Sequence, residues 1–225
     1  LFAEYFMELK DDFPDIHFVS FNGTVDGENI TSLHFDGYAM GYFAGMLSSD
    51  MTETGNIGVI AAYPHQPEVQ GFEDGSYYNN PKVKVKVEYV NSWSNVELAS
   101  TILDDMIAED VDIIYPAGDG FHISIMEKIK NEGLFGIGYV SDHIDLGEST
   151  VLTSTVQHVE KLYTLIAEKY RAGELEGGNF YFDFADGVIS LGTFSKEVPV
   201  DIRKKVELAV EGYIETEKLP HEMNK

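Results

Sequence analysis

The apolar positions of the chain follow two periodicities that alternate along its length. Residues 56–62 form a near-continuous apolar run, which is typical of a strand buried on both faces of a parallel sheet. Residues 82–90 alternate between polar and apolar side chains, which predicts a strand with one exposed face. Longer amphipathic stretches lie between the apolar runs along the chain and predict helices, as residues 95–108 do after the second run. The repeated strand–helix order predicts an α/β fold with parallel, doubly wound sheets.

The same pattern locates each predicted element. Strands are expected at residues 16–21, 30–35, 56–62, 82–90, 111–115, 136–140 and 150–156. Helices are expected at residues 1–11, 38–48, 68–78, 95–108, 123–131, from 157 to about 170, and from 199 to about 216. Residues 177–194 predict two strands joined at Asp186-Gly187, a pair that favours a hairpin turn. Gly41 and Gly45 lie on one face of their helix, and we expect them to allow close approach to a sheet.

Charge is the extreme feature of the composition. The chain carries 39 Asp and Glu against 15 Lys and Arg, which gives a net charge of −24. A surface of this sign repels phosphate backbones, so direct nucleic-acid binding is not expected. The absence of cysteine excludes disulfides and thiolate chemistry. No apolar run in the sequence reaches the roughly 18 residues that span a bilayer.

In open α/β sheets, ligands bind beyond the carboxyl ends of the strands, so the residues at and after the predicted strand ends are the candidate ligand-binding residues. They are Asn22, Phe35, Tyr63, His65, Gln66, Gly118, Asp119, Phe121, Asp142 and Gln157. The set offers amides, carboxylates and aromatic rings but no Lys or Arg. It therefore suits an uncharged ligand that has hydroxyl groups and a flat ring, and it suits a phosphorylated ligand poorly.

Two of these residues have a structural interpretation that the sequence leaves open. Asn22 precedes Gly23 and is equally suited to a turn. Asp119 lies between two glycines, where it could cap the next helix, bind a ligand, or do both.

Metal binding and catalysis are not expected. His65, His122 and His143 lack the neighbours and spacing of a metal site, so no metal and no cofactor are predicted. Ser141, Asp142 and His143 are adjacent, and adjacent side chains diverge too much to form a catalytic triad. The sequence therefore predicts a protein that is not an enzyme.

Six segments of the chain carry the motifs of a known family. They are FDGYAMGYFAG at 35–45, GNIGVIAA at 55–62, VQGFEDG at 69–75, PAGDGF at 116–121, IGYVSDH at 137–143 and VLTSTV at 151–156. In this order they resemble the basic membrane protein family of solute-binding lipoproteins, which includes purine nucleoside receptors. The resemblance implies a type I periplasmic-binding-protein-like fold with two Rossmann-like lobes and a hinge. It also implies a non-enzymatic receptor for a nucleoside-like solute, serving an ABC-type transporter or a sensor derived from one.

Longer matches indicate one branch of that family. SLHFDGYAMGYF at 32–43 and QPEVQGF at 66–72 resemble the Med-like branch of Bacillus-type bacteria, described as activators of the competence regulator gene. This match implies an alternative function, positive regulation of competence genes exerted indirectly through a protein partner. Three polar positions depart from the family pattern, at Asn22, Val140 and Gln157, so altered nucleoside contacts are expected.

The resemblance also implies a location and a division into lobes. Family members are lipid-anchored at the extracellular face of the cell membrane, where a permease or a regulatory protein is the expected partner. The family opens with two βα units before the point where this chain begins, so we expect the first lobe to be incomplete. Residues 1–54, 155–172 and 195–225 are assigned to that first lobe, and residues 55–154 with 173–194 to the second.

Overall fold

The computed structural model describes residues 2–223. In chain order its elements are α1 (Ala3–Leu9), β1 (Phe18–Phe21), β2 (Ile30–Phe35), α2 (Tyr38–Met51), β3 (Asn56–Ala61), α3 (Pro67–Asn79), β4 (Lys84–Tyr89), α4 (Val96–Ala108), β5 (Ile113–Ala117), α5 (His122–Asn131), β6 (Phe135–Gly138), β7 (Val151–Gln157), α6 (Val159–Ala172), β8 (Gly178–Phe182), β9 (Ile189–Leu191), α7 (Val200–Thr216) and α8 (Pro220–Met223). A 3₁₀ turn at Ile144–Leu146 lies between β6 and β7. The predicted α/β fold is confirmed, and α8 is an additional helix that the pattern did not predict.

By its internal contacts the chain forms two compact units, each made of two segments. The first unit comprises Leu1–Asp36 and His158–Ile189, and the second comprises Gly37–Gln157 and Ser190–Lys225. This grouping differs from the predicted lobes, because it places α2 and α7 in the second unit and β8 in the first.

The first unit is built on a three-stranded parallel sheet in the order β1-β2-β8. Ile30 and Leu33 of the central strand are fully buried, and Ile30 packs with Ala3 of α1 and with Val25. The Asn179 side chain of β8 accepts a hydrogen bond from the Val25 amide at 2.9 Å and donates one to its carbonyl at 2.8 Å. These two bonds fix the loop that precedes the central strand.

The second unit is built on a six-stranded sheet in the order β4-β3-β5-β6-β7-β9. The ladders that join β3 to β4 and β5, and those that join β5, β6 and β7, are parallel. Leu103 and Met106 of α4 and Ile125 and Ile129 of α5 form a buried cluster with Ile60 of β3. Helices that cover the interior strands explain their continuous apolar runs. The carboxyl ends of the parallel strands share one edge of the sheet.

Helices α2 and α3 approach each other through facing glycines. A Cβ at Gly41 or Gly45 would overlap backbone carbonyl oxygens of α3, and a Cβ at Gly71 or Gly75 would overlap those of α2. The predicted approach of Gly41 and Gly45 to a sheet is therefore wrong, because their close partner is a helix. This backbone-to-backbone packing is the reason why α2 groups with the second unit.

The predicted hairpin at 177–194 is also wrong. A turn at Asp186-Gly187 is present, with Gly187 at φ +70°. However, β8 pairs with β2, whereas β9 lies beside β7 in the six-stranded sheet. The Asp186-Gly187 pair predicts only that the chain turns there. Each strand pairs with a segment that is distant in sequence, so the two strands belong to different sheets.

Candidate ligand-binding site

The predicted ligand-binding residues divide between the two units. Asn22 and Phe35 lie in the first unit and the other eight in the second, in the loops after β3, β5 and β6 and at the last residue of β7. Those eight, with the loop after β4, lie where the parallel strands of the six-stranded sheet end. We call this region the carboxyl edge, and it is where open α/β sheets bind ligands.

Gln66 fixes the loop between β3 and α3 and is almost fully buried, at 5% exposure. Its Oε1 accepts a hydrogen bond from the Tyr63 amide (2.7 Å), and its Nε2 donates to the Ala117 carbonyl and to Glu68 Oε1 (both 3.0 Å). Tyr139 Oη donates to the same Glu68 oxygen at 2.9 Å. Burial, with the charge of Glu68 adding to it, raises the pKa of Tyr139, so its hydroxyl stays protonated as a donor. The Gln66 amide is thus engaged within the protein.

Three aromatic rings, Tyr63, His65 and Trp93, form what we call the aromatic cluster. The Tyr63 ring centroid lies 5.5 Å from His65, with 24° between the planes, and 5.5 Å from Trp93. Trp93 is 42% exposed, and its carbonyl accepts a hydrogen bond from the Gly120 amide at 2.8 Å. A Cβ at Gly120 would lie 2.7 Å from that carbonyl oxygen, so glycine lets the β5–α5 loop hold Trp93 closely. The cluster presents aromatic surface to solvent at the carboxyl edge.

Sequence reasoning missed three residues of this region. Trp93 follows a predicted strand in the same way as the residues that were chosen, so its position after residues 82–90 was the signal that could have found it. Glu68 lay inside a predicted helix and Tyr139 inside a predicted strand. Nothing in the local pattern indicated that these two side chains meet, because they are 71 positions apart.

The loop between β5 and α5 separates a buried residue from an exposed one. Phe121 is fully buried in the core, and a Cβ at Gly118 would overlap its ring. Asp119 is exposed, and no side chain caps the start of α5. The capping interpretation of Asp119 is therefore wrong, and its carboxylate is presented to solvent in the loop that holds Trp93.

Asp142 connects the turn after β6 to the segment after β9. Its Oδ2 accepts hydrogen bonds from the Thr193 amide (2.9 Å) and hydroxyl (2.7 Å), and its Oδ1 accepts one from the Ile144 amide (3.3 Å). A Cβ at Gly192 would lie 2.8 Å from Oδ1, so glycine makes room for the carboxylate. Burial acts to raise the pKa of Asp142, but the hydrogen bonds from Thr193 and Ile144 outweigh it and lower that pKa. The carboxylate is therefore ionised and committed to this link.

The turn after β6 is strained and is held from several sides. Val140 has φ +58°, a left-handed conformation that is costly for a β-branched residue. Its carbonyl accepts a hydrogen bond from the amide of Gln157, the half-buried last residue of β7, at 3.0 Å. In the same turn the His143 ring lies 4.9 Å from that of His122. Burial, followed by the proximity of His143, lowers the pKa of His122, so this ring is neutral at pH 7.

Asn22 and Phe35 lie at the carboxyl ends of the strands of the first unit. Asn22 is exposed, has φ +53°, and donates its amide hydrogen to the Leu33 carbonyl at 3.0 Å. A left-handed backbone suits asparagine, so this geometry agrees with the turn interpretation. Phe35 is half-buried, with its ring centroid 5.9 Å from that of Phe21. A role of either residue in ligand binding stays a prediction.

The loops of the carboxyl edge carry histidines but no Lys or Arg. Residues 62–66, 91–95, 117–122 and 139–143 contain no Lys or Arg, so they supply no counter-charge for a phosphate. Within residues 2–223, no group of three or more His, Asp or Glu side chains is placed to hold a metal ion. None of the helices in this part of the chain is long and apolar enough to cross a bilayer.

The two sheets, built mainly of parallel strands and covered by helices, define a class of fold, that of type I periplasmic-binding-protein-like solute-binding proteins. A solute-binding protein of an ABC transporter system from Aeropyrum pernix K1 superposes with a TM-score of 0.76 at 17% identity. The match covers 97% of this chain and 63% of that protein. The predicted fold class is thus confirmed.

The chain belongs to the Bmp family, whose model, described as ABC transporter substrate-binding protein PnrA-like, matches residues 1–221. The transcriptional activator protein Med of Bacillus subtilis is 44% identical over 219 residues, which cover 97% of this chain and 69% of Med. The crystal structure of a transcriptional activator of the comK gene from Bacillus halodurans matches with a TM-score of 0.95 and 53% identity, over 98% of this chain and 77% of that one. The predicted family and its Med-like branch are therefore confirmed.

Two more distant relatives are matched over a smaller part of their length than Med is. A purine-binding protein of Brucella abortus is 26% identical over 204 residues, which cover 89% of this chain but 57% of that protein. The basic membrane protein A of Borreliella afzelii is 24% identical over 191 residues, and this chain again spans 57% of it. The chain thus corresponds to a little more than half of these relatives.

Proposed function

We propose that this chain binds an uncharged, nucleoside-like small molecule at its carboxyl edge, as part of a non-enzymatic receptor or sensor. The aromatic cluster carries the proposal, because a flat ring can stack on the exposed face of Trp93. The exposed carboxylate of Asp119, in the loop that holds Trp93, can accept hydrogen bonds from ligand hydroxyls. The name of the Brucella relative, a purine-binding protein, supports a purine as the ring.

The test uses Trp93 as both contact and reporter, and the part of the fluorescence change that Trp93→Ala abolishes is assigned to this residue. Guanosine, inosine and adenosine are titrated into the full-length protein, and binding is expected to change the tryptophan fluorescence. Base–aromatic stacking contributes about 1–3 kcal/mol, so calorimetry is expected to show that Trp93→Ala weakens binding about 5- to 150-fold.

The matched control is Tyr77→Ala on α3. Tyr77 is 41% exposed, close to the value for Trp93, but it lies outside the carboxyl edge, so its loss is expected to leave the affinity unchanged. The proposal fails if no nucleoside of the panel binds, or if the Trp93 and Tyr77 variants bind equally well.

A regulatory protein that acts through a protein partner is the second candidate function. It is favoured because two predicted ligand contacts, Gln66 and Asp142, already use their polar atoms inside the protein. The similarity to Med, named a transcriptional activator, points the same way. Capture of one regulatory protein by both the native chain and Trp93→Ala, without nucleoside binding, would support this function over the first.

The family also supports a place of action. We propose that the full-length protein is lipid-anchored at the extracellular face of the cell membrane, where a permease or regulatory membrane protein is its partner. External protease is expected to degrade the protein on intact cells whose cell wall has been removed. Full protection under those conditions would contradict this location.

A further inference from the structure

His122 and His143 form a pair that the proposed ligand-binding function does not use. His122 is the first residue of α5, directly after the β5 loop, and His143 precedes the 3₁₀ turn after β6. Their ring centroids are 4.9 Å apart with 50° between the planes. The two histidines follow the neighbouring strands β5 and β6, so the pairing of these strands brings the two imidazoles together.

One nitrogen of each ring is already bonded to a backbone carbonyl. His122 Nδ1 lies 3.1 Å from the Gly118 carbonyl oxygen, and His143 Nε2 lies 3.0 Å from the Tyr139 carbonyl oxygen. A carbonyl oxygen only accepts hydrogen bonds, so each of these nitrogens carries the hydrogen. When such a ring is neutral, its lone pair is on the other nitrogen, which is Nε2 in His122 and Nδ1 in His143. Metal-binding histidines use the same arrangement, in which a carbonyl fixes the tautomer and the opposite nitrogen binds the ion.

The separation of the rings also fits a shared ion. When two imidazoles bind one ion at a metal–nitrogen distance of about 2.0–2.1 Å and at a near-tetrahedral angle, their ring centres lie about 5 Å apart. The observed 4.9 Å matches this spacing. Imidazole nitrogen favours zinc, copper and nickel over the oxygen-seeking calcium and magnesium.

We propose that His122 and His143 form a two-histidine site for a divalent transition-metal ion, bound through His122 Nε2 and His143 Nδ1. The neighbouring Asp142 carboxylate is committed to Thr193 and Ile144 and does not contribute. Within residues 2–223 no third protein ligand of the His, Asp or Glu type completes the group, so water is expected to fill the remaining positions. The site is independent of the nucleoside binding proposed above.

The test measures Ni²⁺ binding by calorimetry, with the full-length protein freed of any affinity tag. One Ni²⁺ ion is expected per chain. Loss of a partner that merely orients a metal ligand costs about 10- to 100-fold in affinity, so loss of a ligand itself in His122→Gln or His143→Gln is expected to cost at least as much. His65→Gln is the control, because His65 also lies at the carboxyl edge but stacks on Tyr63 outside the pair.

A second measurement is independent of affinity. Cu²⁺ bound to the native protein is expected to show hyperfine coupling to two imidazole nitrogens in its electron paramagnetic resonance spectrum, and to one in His143→Gln. His122 is buried, so His122→Gln could fail to fold. In that case the affinity and the spectrum of His143→Gln test the proposal, because His143 is only half-buried and its loss perturbs the fold less. The absence of saturable binding, native affinity in folded His143→Gln, or an equal loss in His65→Gln would each overturn the proposal.

Discussion

Because α2 and α3 cross closely, replacing glycine by alanine is expected to destabilise the protein at Gly45 of α2 and to stabilise it at Gly212 of α7. Alanine is about 1 kcal/mol better than glycine inside a helix, so propensity alone predicts that Gly45→Ala stabilises the protein. The structure predicts the reverse, because a Cβ at Gly45 would overlap the Phe72 carbonyl oxygen and lie 2.8 Å from Ser76 Oγ. The atom in the way is backbone, so the two helices have to separate. Overpacking of this kind costs about 1–3 kcal/mol. After the propensity gain of about 1 kcal/mol is subtracted, Gly45→Ala is expected to lower the free energy of unfolding by up to about 2 kcal/mol.

Gly212 of α7 provides the matched control. It also lies inside a helix, but a Cβ there would meet nothing closer than the end of the Met223 side chain, at 3.8 Å. Gly212→Ala is therefore expected to stabilise the second unit by up to about 1 kcal/mol. Both free energies of unfolding are read from urea titrations followed by the fluorescence of Trp93, which lies in the same unit. If Gly45→Ala is as stable as Gly212→Ala, the close crossing is refuted.

Two hydrogen-bonded links at the carboxyl edge give further predictions. Tyr139→Phe removes a buried hydrogen bond to the Glu68 carboxylate and is expected to lower the free energy of unfolding by about 1.5–3 kcal/mol in urea titrations; a loss below about 0.5 kcal/mol would show that the bond is not formed. A double-mutant cycle of Asp142→Ala and Thr193→Val is expected to give a coupling energy of about 1 kcal/mol, because one Asp142 oxygen accepts the Thr193 hydroxyl at 2.7 Å. Additive effects of the two substitutions would contradict that link.

The sequence predicted the order and type of the main elements because periodicity reports burial directly. The near-continuous apolar run at 56–62 contains the interior strand β3, and the alternating run at 82–90 contains β4, the edge strand of the same sheet. Residues at the strand ends were correctly located, because parallel strands end on one side of a sheet. These inferences depend only on local pattern and general topology.

The remaining features depend on contacts between distant segments. The glycines of α2 face α3 rather than a sheet, and the sequence of one helix does not show which element packs against it. The directions of the Gln66 and Phe121 side chains are set by loop geometry, so both are buried although they follow strands. The His122–His143 pair likewise exists because β5 and β6 are neighbours, whereas the sequence showed two histidines without metal-site spacing.

The pairing of β2 with β8 has a consequence for how the chain is made. Thr31 of β2 pairs with Gly178 of β8, so the central strand of the first unit gains its second partner only after β3 to β7 have been synthesised. Domains generally fold as units while the ribosome proceeds from the N-terminus. We therefore expect the parallel core of the second unit to form first on the nascent chain. Until β8 emerges, one side of β2 is an unpaired edge, which concentrates the aggregation hazard of the growing polypeptide in residues 30–35.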